Sequence, residues 1–327
     1  ARDYVSVVGS STVYPFSTVV AEQLGRTAGI KTPKIESTGT GGGIKLFCSG
    51  IGVQYPDIAN ASRTIKASEL EGCAKAGVKD IVEVKIGYDG IVIAHAKSEP
   101  GFNLTRKEIF LALAKTVPDP ASPESGKLVD NPYKTWKQVN PAFPDSKIEV
   151  LGPPPTSGTR DSFVELAMEG GCQGIKWISE LKARDEAKFK ALCHTVREDG
   201  AFIEAGENDN LIVQKLIANP KALGVFGYSF MEQNTDQIAP VQVDGVAPEY
   251  DTIAVQKYPI ARPLYFYVKK AHVGMIKGID AYIAEFTSDK ATGDEGYLAD
   301  KGLIALPAAE RKTVAANARA LKTLEMK

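Results

Sequence analysis

Four short turns built from glycine and hydroxyl residues constrain this chain most: Gly9-Ser-Ser-Thr12, Ser37-Thr-Gly-Thr-Gly-Gly-Gly43, Asn60-Ala-Ser-Arg63 and Thr156-Ser-Gly-Thr-Arg-Asp161. Each lies between a strand-like apolar run and a helix-like segment, or close to one. Repeated strand–turn–helix units build an α/β layer structure with a mostly parallel sheet, whose ligand loops gather at the carboxyl ends of the strands. The first N–H groups of a helix have no intrahelical partner. Together with neighbouring hydroxyls and the positive end of the helix dipole, they bind small oxyanions. One such turn is weak evidence; four, two of them carrying an arginine, imply a site that surrounds an anion with donors.

The apolar periodicity extends this alternation. Tyr4–Val8 reads as a buried strand and Pro15–Gly29 as a helix with Phe16, Val19, Val20 and Leu24 on one face. Pro33–Ser37 and Asp57–Asn60 read as strands, with helices expected from the triple glycine through Phe47 and over Ser68–Ala76. Ile81–Ile86 and Gly90–Ala94 form a long apolar stretch broken by Gly87-Tyr-Asp89. Thr105–Val117 reads as a helix opened by a capping box, Thr105 with Glu108. Pro118–Pro144, rich in proline and turn residues, is expected as a long surface loop around Trp136. Later elements are a strand at Ile148–Leu151, helices at Arg160–Glu169 and Asn208–Ala218, and strands at Leu223–Gly227 and Arg262–Val268. Helices at Val273–Thr287 and Ala308–Leu324 complete the reading.

With 327 residues, 43% of them hydrophobic and 24% charged, the chain is long enough for two globular domains. Its 39 basic and 40 acidic residues leave a formal charge of −1, so nothing favours a nucleic-acid partner or a membrane surface, and attraction for an anion must be local. No apolar run is long enough to span a bilayer. Ala1, almost at once followed by a strand, reads as a mature N-terminus from which a signal peptide has been removed. A residue other than cysteine there favours a freely diffusing protein over a lipid-anchored one. Cys48, Cys73, Cys172 and Cys193 form no Cys-x-x-Cys pair, and His95, His194 and His272 are too few to complete a zinc site, so no metal is expected. Two local cysteine pairs suggest disulfides 48–73 and 172–193 and an oxidising compartment; four buried free thiols are the alternative.

Residue chemistry sharpens the anion site. Ser157 can cap a helix while facing a ligand, Gly158 admits close backbone approach, Thr159 adds a hydroxyl, and Arg160 offers a planar fork for two oxygens. Taken alone, this turn is better read as an N-cap with a surface arginine paired to Asp161 or Glu165. The glycine-rich turn is neither a Walker A loop, since Lys45 is misplaced for one, nor a dinucleotide fingerprint. A flexible glycine turn is its plain reading, against which Thr40 sits where a hydroxyl can reach an anion. Ser62 and Arg63 end a strand in a hydroxyl and a cation. Asp89 is a carboxylate within an apolar run, and burying it is costly unless it is paired, for instance to Arg63 or Arg160. As a ligand group it accepts hydrogen bonds only and so favours an anion that still carries a proton.

Together, Gly9–Pro15, Gly39–Lys45, Ala61–Arg63, Asp89–Ile91 and Ser157–Asp161 resemble the motifs of periplasmic phosphate-binding proteins, the substrate-capturing components of the high-affinity phosphate ABC importer. Ala222–Tyr228 and Tyr258–Tyr265 resemble later landmarks of that family, and the similarity runs from about residue 5 to about 290. The resemblance implies a type II periplasmic-binding fold: lobe I at 1–91 plus 259–327 and lobe II at 92–258, joined by two crossover strands and closing over one anion. It implies ligand groups at Ser11, Thr12, Val13 (through its N–H), Thr40, Ser157, Gly158 and Thr159. One version of the family has an acid where Ser62 stands and an arginine where Pro153 stands; here Asp89 is expected to replace the acid, and Arg160, helped by Arg63, the arginine. The implied activity is capture of hydrogen phosphate by a periplasmic monomer, with no cofactor, for delivery to permease subunits. Sulfate, molybdate or a phosphonate is the alternative ligand. A phosphatase or phosphotransferase using Ser11, Ser62 or Ser157 lacks a metal cluster or a histidine to activate the nucleophile. An adhesion or matrix role would need no tight anion binding.

Overall fold

The structure, a computed structural model, describes residues 2–27 and 29–325. The expected mature terminus at Ala1, Ala28 within the first expected helix, and Met326 and Lys327 lie outside the described residues. In chain order the first elements are β1 (Ser6–Gly9), α1 (Tyr14–Thr27), β2 (Lys34–Ser37), α2 (Thr40–Phe47), β3 (Ile58–Ala61), α3 (Ala67–Lys75) and β4 (Ile81–Ala96). Next come α4 (Arg106–Leu113), β5 (Thr116–Pro118), β6 (Leu128–Asp130), α5 (Trp136–Val139), β7 (Val150–Gly152) and α6 (Gly158–Phe163). A π-helical turn, Val164–Met168, continues into α7 (Glu169–Gln173), followed by α8 (Lys176–Arg184), α9 (Glu186–His194), β8 (Phe202–Glu204) and α10 (Asp209–Ala218). The remainder includes β9 (Leu223–Gly227), α11 (Tyr228–Glu232), β10 (Ile238–Pro240), α12 (Tyr250–Ala254) and β11 (Ala261–Lys269). After β11 come α13 (Ile279–Phe286), α14 (Asp289–Thr292) and α15 (Ala308–Arg319).

The chain divides into two compact units, Ala1–Asp89 with Arg262–Lys327, and Gly90–Ala261. It passes from one to the other within β4 and returns within β11. In the first unit the sheet order is β2-β1-β3-β11-β4. Strands β1, β2 and β3 are parallel, and β11 runs antiparallel to β3 with Tyr265 opposite Ala61. Val7, Val20, Val84, Phe266, Tyr282 and Phe286 fill the core on one side of this sheet. Ile44, Phe47, Ile81 and Tyr267 form a second cluster. In the second unit β9, β7 and β8 are parallel, while β4 pairs antiparallel with β9 and β10. Both sheets are therefore mixed, their parallel strands lying where the sequence alternates strand and helix.

Four local expectations need correction, the first being the helix read at Val273–Thr287, which forms only over Ile279–Phe286 after the left-handed Gly274 and Gly278. Gly87-Tyr-Asp89 does not break the apolar stretch: β4 runs unbroken for 16 residues. The glycine instead admits another segment, because Tyr88 exchanges backbone hydrogen bonds with Ile304 at 2.8 and 3.0 Å, and a Cβ at Gly87 would strike the Ile304 carbonyl. The Pro118–Pro144 segment is not one surface loop. It holds most of the β5–β6 hairpin and α5, and Trp136 is only 3% exposed, set edge-on against Phe102 with ring centroids 5.2 Å apart. The Thr105–Val117 helix stops at Leu113 because Thr116–Pro118 pairs as a strand, although its capping box forms as expected.

Both disulfides form, Cys48–Cys73 joining the end of α2 to α3 and Cys172–Cys193 joining α7 to α9. Closing loops of this length stabilises a fold by a typical ~2–4 kcal/mol. A buried ionic cluster adds a further tie in the first unit. Asp57, with no exposed side-chain surface, accepts from both Arg2 terminal nitrogens, from the Ser6 N–H at 2.8 Å and from His272 Nδ1 at 2.6 Å. Gly52 N–H donates to His272 Nε2 at 3.0 Å, which fixes the proton of a neutral ring on Nδ1. Burial pushes the Asp57 carboxyl up, but the hydrogen bonds from His272 and Arg2 outweigh it and hold the group below its ordinary value.

Candidate functional site

The turns after β1, β2 and β3 meet at the carboxyl ends of their strands, and backbone hydrogen bonds lock them together. Gly9 C=O accepts from Thr38 N–H at 2.9 Å and Gly39 N–H at 3.0 Å, and Asn60 C=O accepts from Ser10 N–H at 3.0 Å. The backbones approach so closely that a Cβ at Gly43, on α2, would collide with the Gly9 Cα, so of the triple glycine it is Gly43 that the packing requires. Ser10 Oγ takes the Thr12 N–H at 3.1 Å and the Val13 N–H at 3.3 Å, organising the first turn ahead of α1. Asn60 Nδ2 donates to Ser17 Oγ at 2.8 Å and braces the same helix from below.

Of the expected ligand residues, the structure brings Thr40 and Ser62 into direct contact. Thr40 Oγ1 accepts the Ser62 N–H at 3.1 Å and lies 3.1 Å from Ser62 Oγ. Ser62 is buried and Thr40 half-buried. Thr12 is 6% exposed, and its Oγ1 accepts from Arg262 Nη2 at 3.2 Å. Ser11 is half-buried in the same turn, whereas the Val13 side chain is fully buried in the core and its N–H, like that of Thr12, is directed at Ser10. Asp89 is half-buried on β4 as the last residue of this unit's first segment.

Arg63 is directed elsewhere. Its two terminal nitrogens hold Glu69 at 2.7 and 3.1 Å, and Glu69 in turn accepts the Lys66 N–H at 2.9 Å at the start of α3. Burial raises the Glu69 carboxyl, but the Arg63 hydrogen bond and the Lys66 N–H more than offset this, so the acid stays ionised and cancels the Arg63 charge.

The second unit supplies a separate turn. Ser157 caps α6, its Oγ accepting the Thr159 N–H at 3.1 Å, and Gly158 and Thr159 are the first helical residues. Thr156 Oγ1 donates to Glu207, fastening the turn to the segment before α10. Arg160 is half-buried, gives one N–H to the Pro153 carbonyl at 3.0 Å and lies over the Phe202 ring at 4.8 Å. It forms no ion pair among the described residues; the paired surface arginine read from the sequence is not what the fold produces. Burial lowers the Arg160 guanidinium, with Glu204, Asp161 and Glu198 partly opposing the effect.

Sequence reasoning missed the roles of Ser10, Glu69 and Arg262. Ser10 was legible as a capping hydroxyl next to the residues singled out. Glu69 lies six residues beyond Arg63, and Arg262 lies 250 residues beyond Thr12, so only folding sets those pairs. Among the described residues no group of three or more His, Cys, Asp or Glu side chains is arranged to hold a metal ion, and no helix is long and apolar enough to cross a membrane.

Comparison with known proteins places this chain in a family. A family model described as a PBP superfamily domain matches residues 1–290. Protein SphX of Synechococcus elongatus is 31% identical over 83% of this chain and 71% of its own length. Phosphate-binding protein PstS of Staphylococcus saprophyticus is 31% identical over 91% of this chain and 79% of its own. The crystal structure of a possible phosphate binding protein from Planctomyces limnophilus superposes with a TM-score of 0.75 at 24% identity, covering 98% of this chain and 99% of that one. The chain belongs to the PBP superfamily, in the family of its PstS and SphX relatives.

Proposed function

We propose that this protein captures inorganic phosphate, as hydrogen phosphate, and leaves it chemically unchanged. The observation that carries this reading is the set of three interlocked turns in the first unit, which presents the hydroxyls of Thr12, Thr40 and Ser62 from neighbouring strand ends. The phosphate-binding name of the PstS relative supports the choice of anion. Ser11, Thr12, Val13, Thr40 and Ser62 form one half-site, with Arg63 a contributor to local charge. Ser157, Gly158, Thr159 and Arg160 form the other. Asp89 accepts the proton that hydrogen phosphate keeps at neutral pH and sulfate lacks.

Lobes at 1–91 plus 259–327 and at 92–258 would close on the ligand, which stabilises the closed state through contacts made only there. Charge-assisted hydrogen bonds of roughly 1.5–3 kcal/mol each, less the cost of association, suffice for micromolar or tighter binding. The two disulfides fit an oxidising, periplasmic setting, from which the monomeric, loaded protein would deliver phosphate to permease subunits of an ABC importer.

Calorimetric titration of protein stripped of bound anion, with phosphate, arsenate and sulfate in turn, tests this. One tight phosphate site, weaker arsenate competition and no sulfate signal are expected. Tight sulfate binding would remove Asp89 from the site, and absence of any anion binding would leave the fold without this function.

A further inference from the structure

Arg262 belongs to no motif assigned to the anion, yet the topology delivers it there. β11 is antiparallel to β3 with Tyr265 opposite Ala61, so the three residues before Tyr265 run beyond the end of β3, on the side where Ser62 lies. This is also where the β1 turn ends, and Arg262 Nη2 donates to Thr12 Oγ1 at 3.2 Å. A hydroxyl has one proton to give and two lone pairs. A guanidinium is always charged and only donates, so it occupies a Thr12 lone pair and turns the hydroxyl proton away from itself. Arg63, the arginine named by the motifs of this unit, is meanwhile held by the Glu69 carboxylate.

Resting on the phosphate reading above, we infer that Arg262 is a positioning residue of the anion site: it fixes Thr12 as a hydrogen-bond donor and strengthens that donor with its charge. The first turn is thereby committed to an acceptor-rich ligand oxygen, and recognition of the phosphate proton is left to a group elsewhere in the site.

The test is calorimetric phosphate affinity of stripped wild-type protein, Arg262→Gln, Arg262→Lys, Thr12→Val and the Thr12→Val/Arg262→Gln double variant, with the melting temperature of each measured without ligand. Loss of a charge-assisted contact predicts that Arg262→Gln weakens phosphate by about 30-fold, and that Arg262→Lys, which keeps the charge, recovers most of it. In the Thr12→Val background the same Gln substitution should cost less than about threefold, because the two residues act as one unit. A purely structural role would lower the melting temperature and weaken binding equally in both backgrounds. Arg262→Gln binding within about twofold of wild type, or losses that simply add, would overturn the inference while leaving phosphate capture standing. Wild-type protein that binds no phosphate would overturn both.

Discussion

The hydroxyl-and-glycine turns of the two units are built from the same residue types but are held in different ways. In the first unit, hydroxyls are tied to one another and to a distant arginine, and the nearest motif cation is neutralised: Thr40 holds Ser62, Arg262 holds Thr12, and Glu69 holds Arg63. In the second, Ser157 caps its helix alone, and Arg160 lies over Phe202 with one N–H on the Pro153 carbonyl and no carboxylate in ion-pair contact among the described residues. On the proposed reading, the first unit would offer oriented dipoles and the second the charge of Arg160. An arginine beside a hydroxyl in a motif therefore does not by itself identify a ligand cation; its carboxylate partners decide.

The contrast is most sharply tested by removing each cation. Arg160→Ala should weaken phosphate binding by about 100-fold, the upper range for a hydrogen bond to a charged group, and Arg63→Ala and Lys45→Ala by no more than about threefold. Equal losses in titration calorimetry would erase the distinction between the units. Asp89→Asn should narrow the preference for phosphate over sulfate by about tenfold, since it removes the repulsion of a fully ionised anion, and an unchanged ratio in competition titrations would exclude Asp89 from selectivity. Thr40→Val, which removes an acceptor for the Ser62 N–H as well as a hydroxyl, should cost about fivefold in affinity, and an unaltered dissociation constant would count against Thr40 as a ligand group.

Smallest in its effect on binding should be Asp57→Asn, because Asp57 ties Arg2 and His272 into the same unit away from the turns. Its effect is on stability. The folded carboxyl lies below its ordinary 3.8, so its contribution is fully present above that value and is lost as pH falls through the lower, folded value. Chemical denaturation of wild type and Asp57→Asn should show a stability gap at neutral pH that narrows below pH 3.8. A gap that persists unchanged into strong acid would contradict this sign.

Much of this was written locally in the chain. The alternation of apolar runs with Gly/Ser/Thr turns located β1, α1, β2, α2 and β3 to within a few residues, because each signal acts over one turn of backbone. Thr105 with Glu108 formed its reciprocal cap for the same reason, and the two cysteine pairs closed over separations of 25 and 21 residues. Local signals failed where a distant segment intervened. Gly87 looked like a break, but Ile304 arrives beside it and strand geometry continues; Trp136 looked like a loop residue, but Phe102 covers it.

Helices α8 and α9 were not foreseen, although Cys193 on α9 was correctly matched to Cys172. The sequence by itself determined which residue types stand at the strand ends. Which of those groups face one another was decided only by sheet register and long-range pairing: β11 beside β3 brings Arg262 to Thr12, and the start of α3 brings Glu69 to Arg63. The physical reason is that a turn's hydrogen bonds depend on neighbours in sequence, whereas the charge and donor direction at a site depend on neighbours in space.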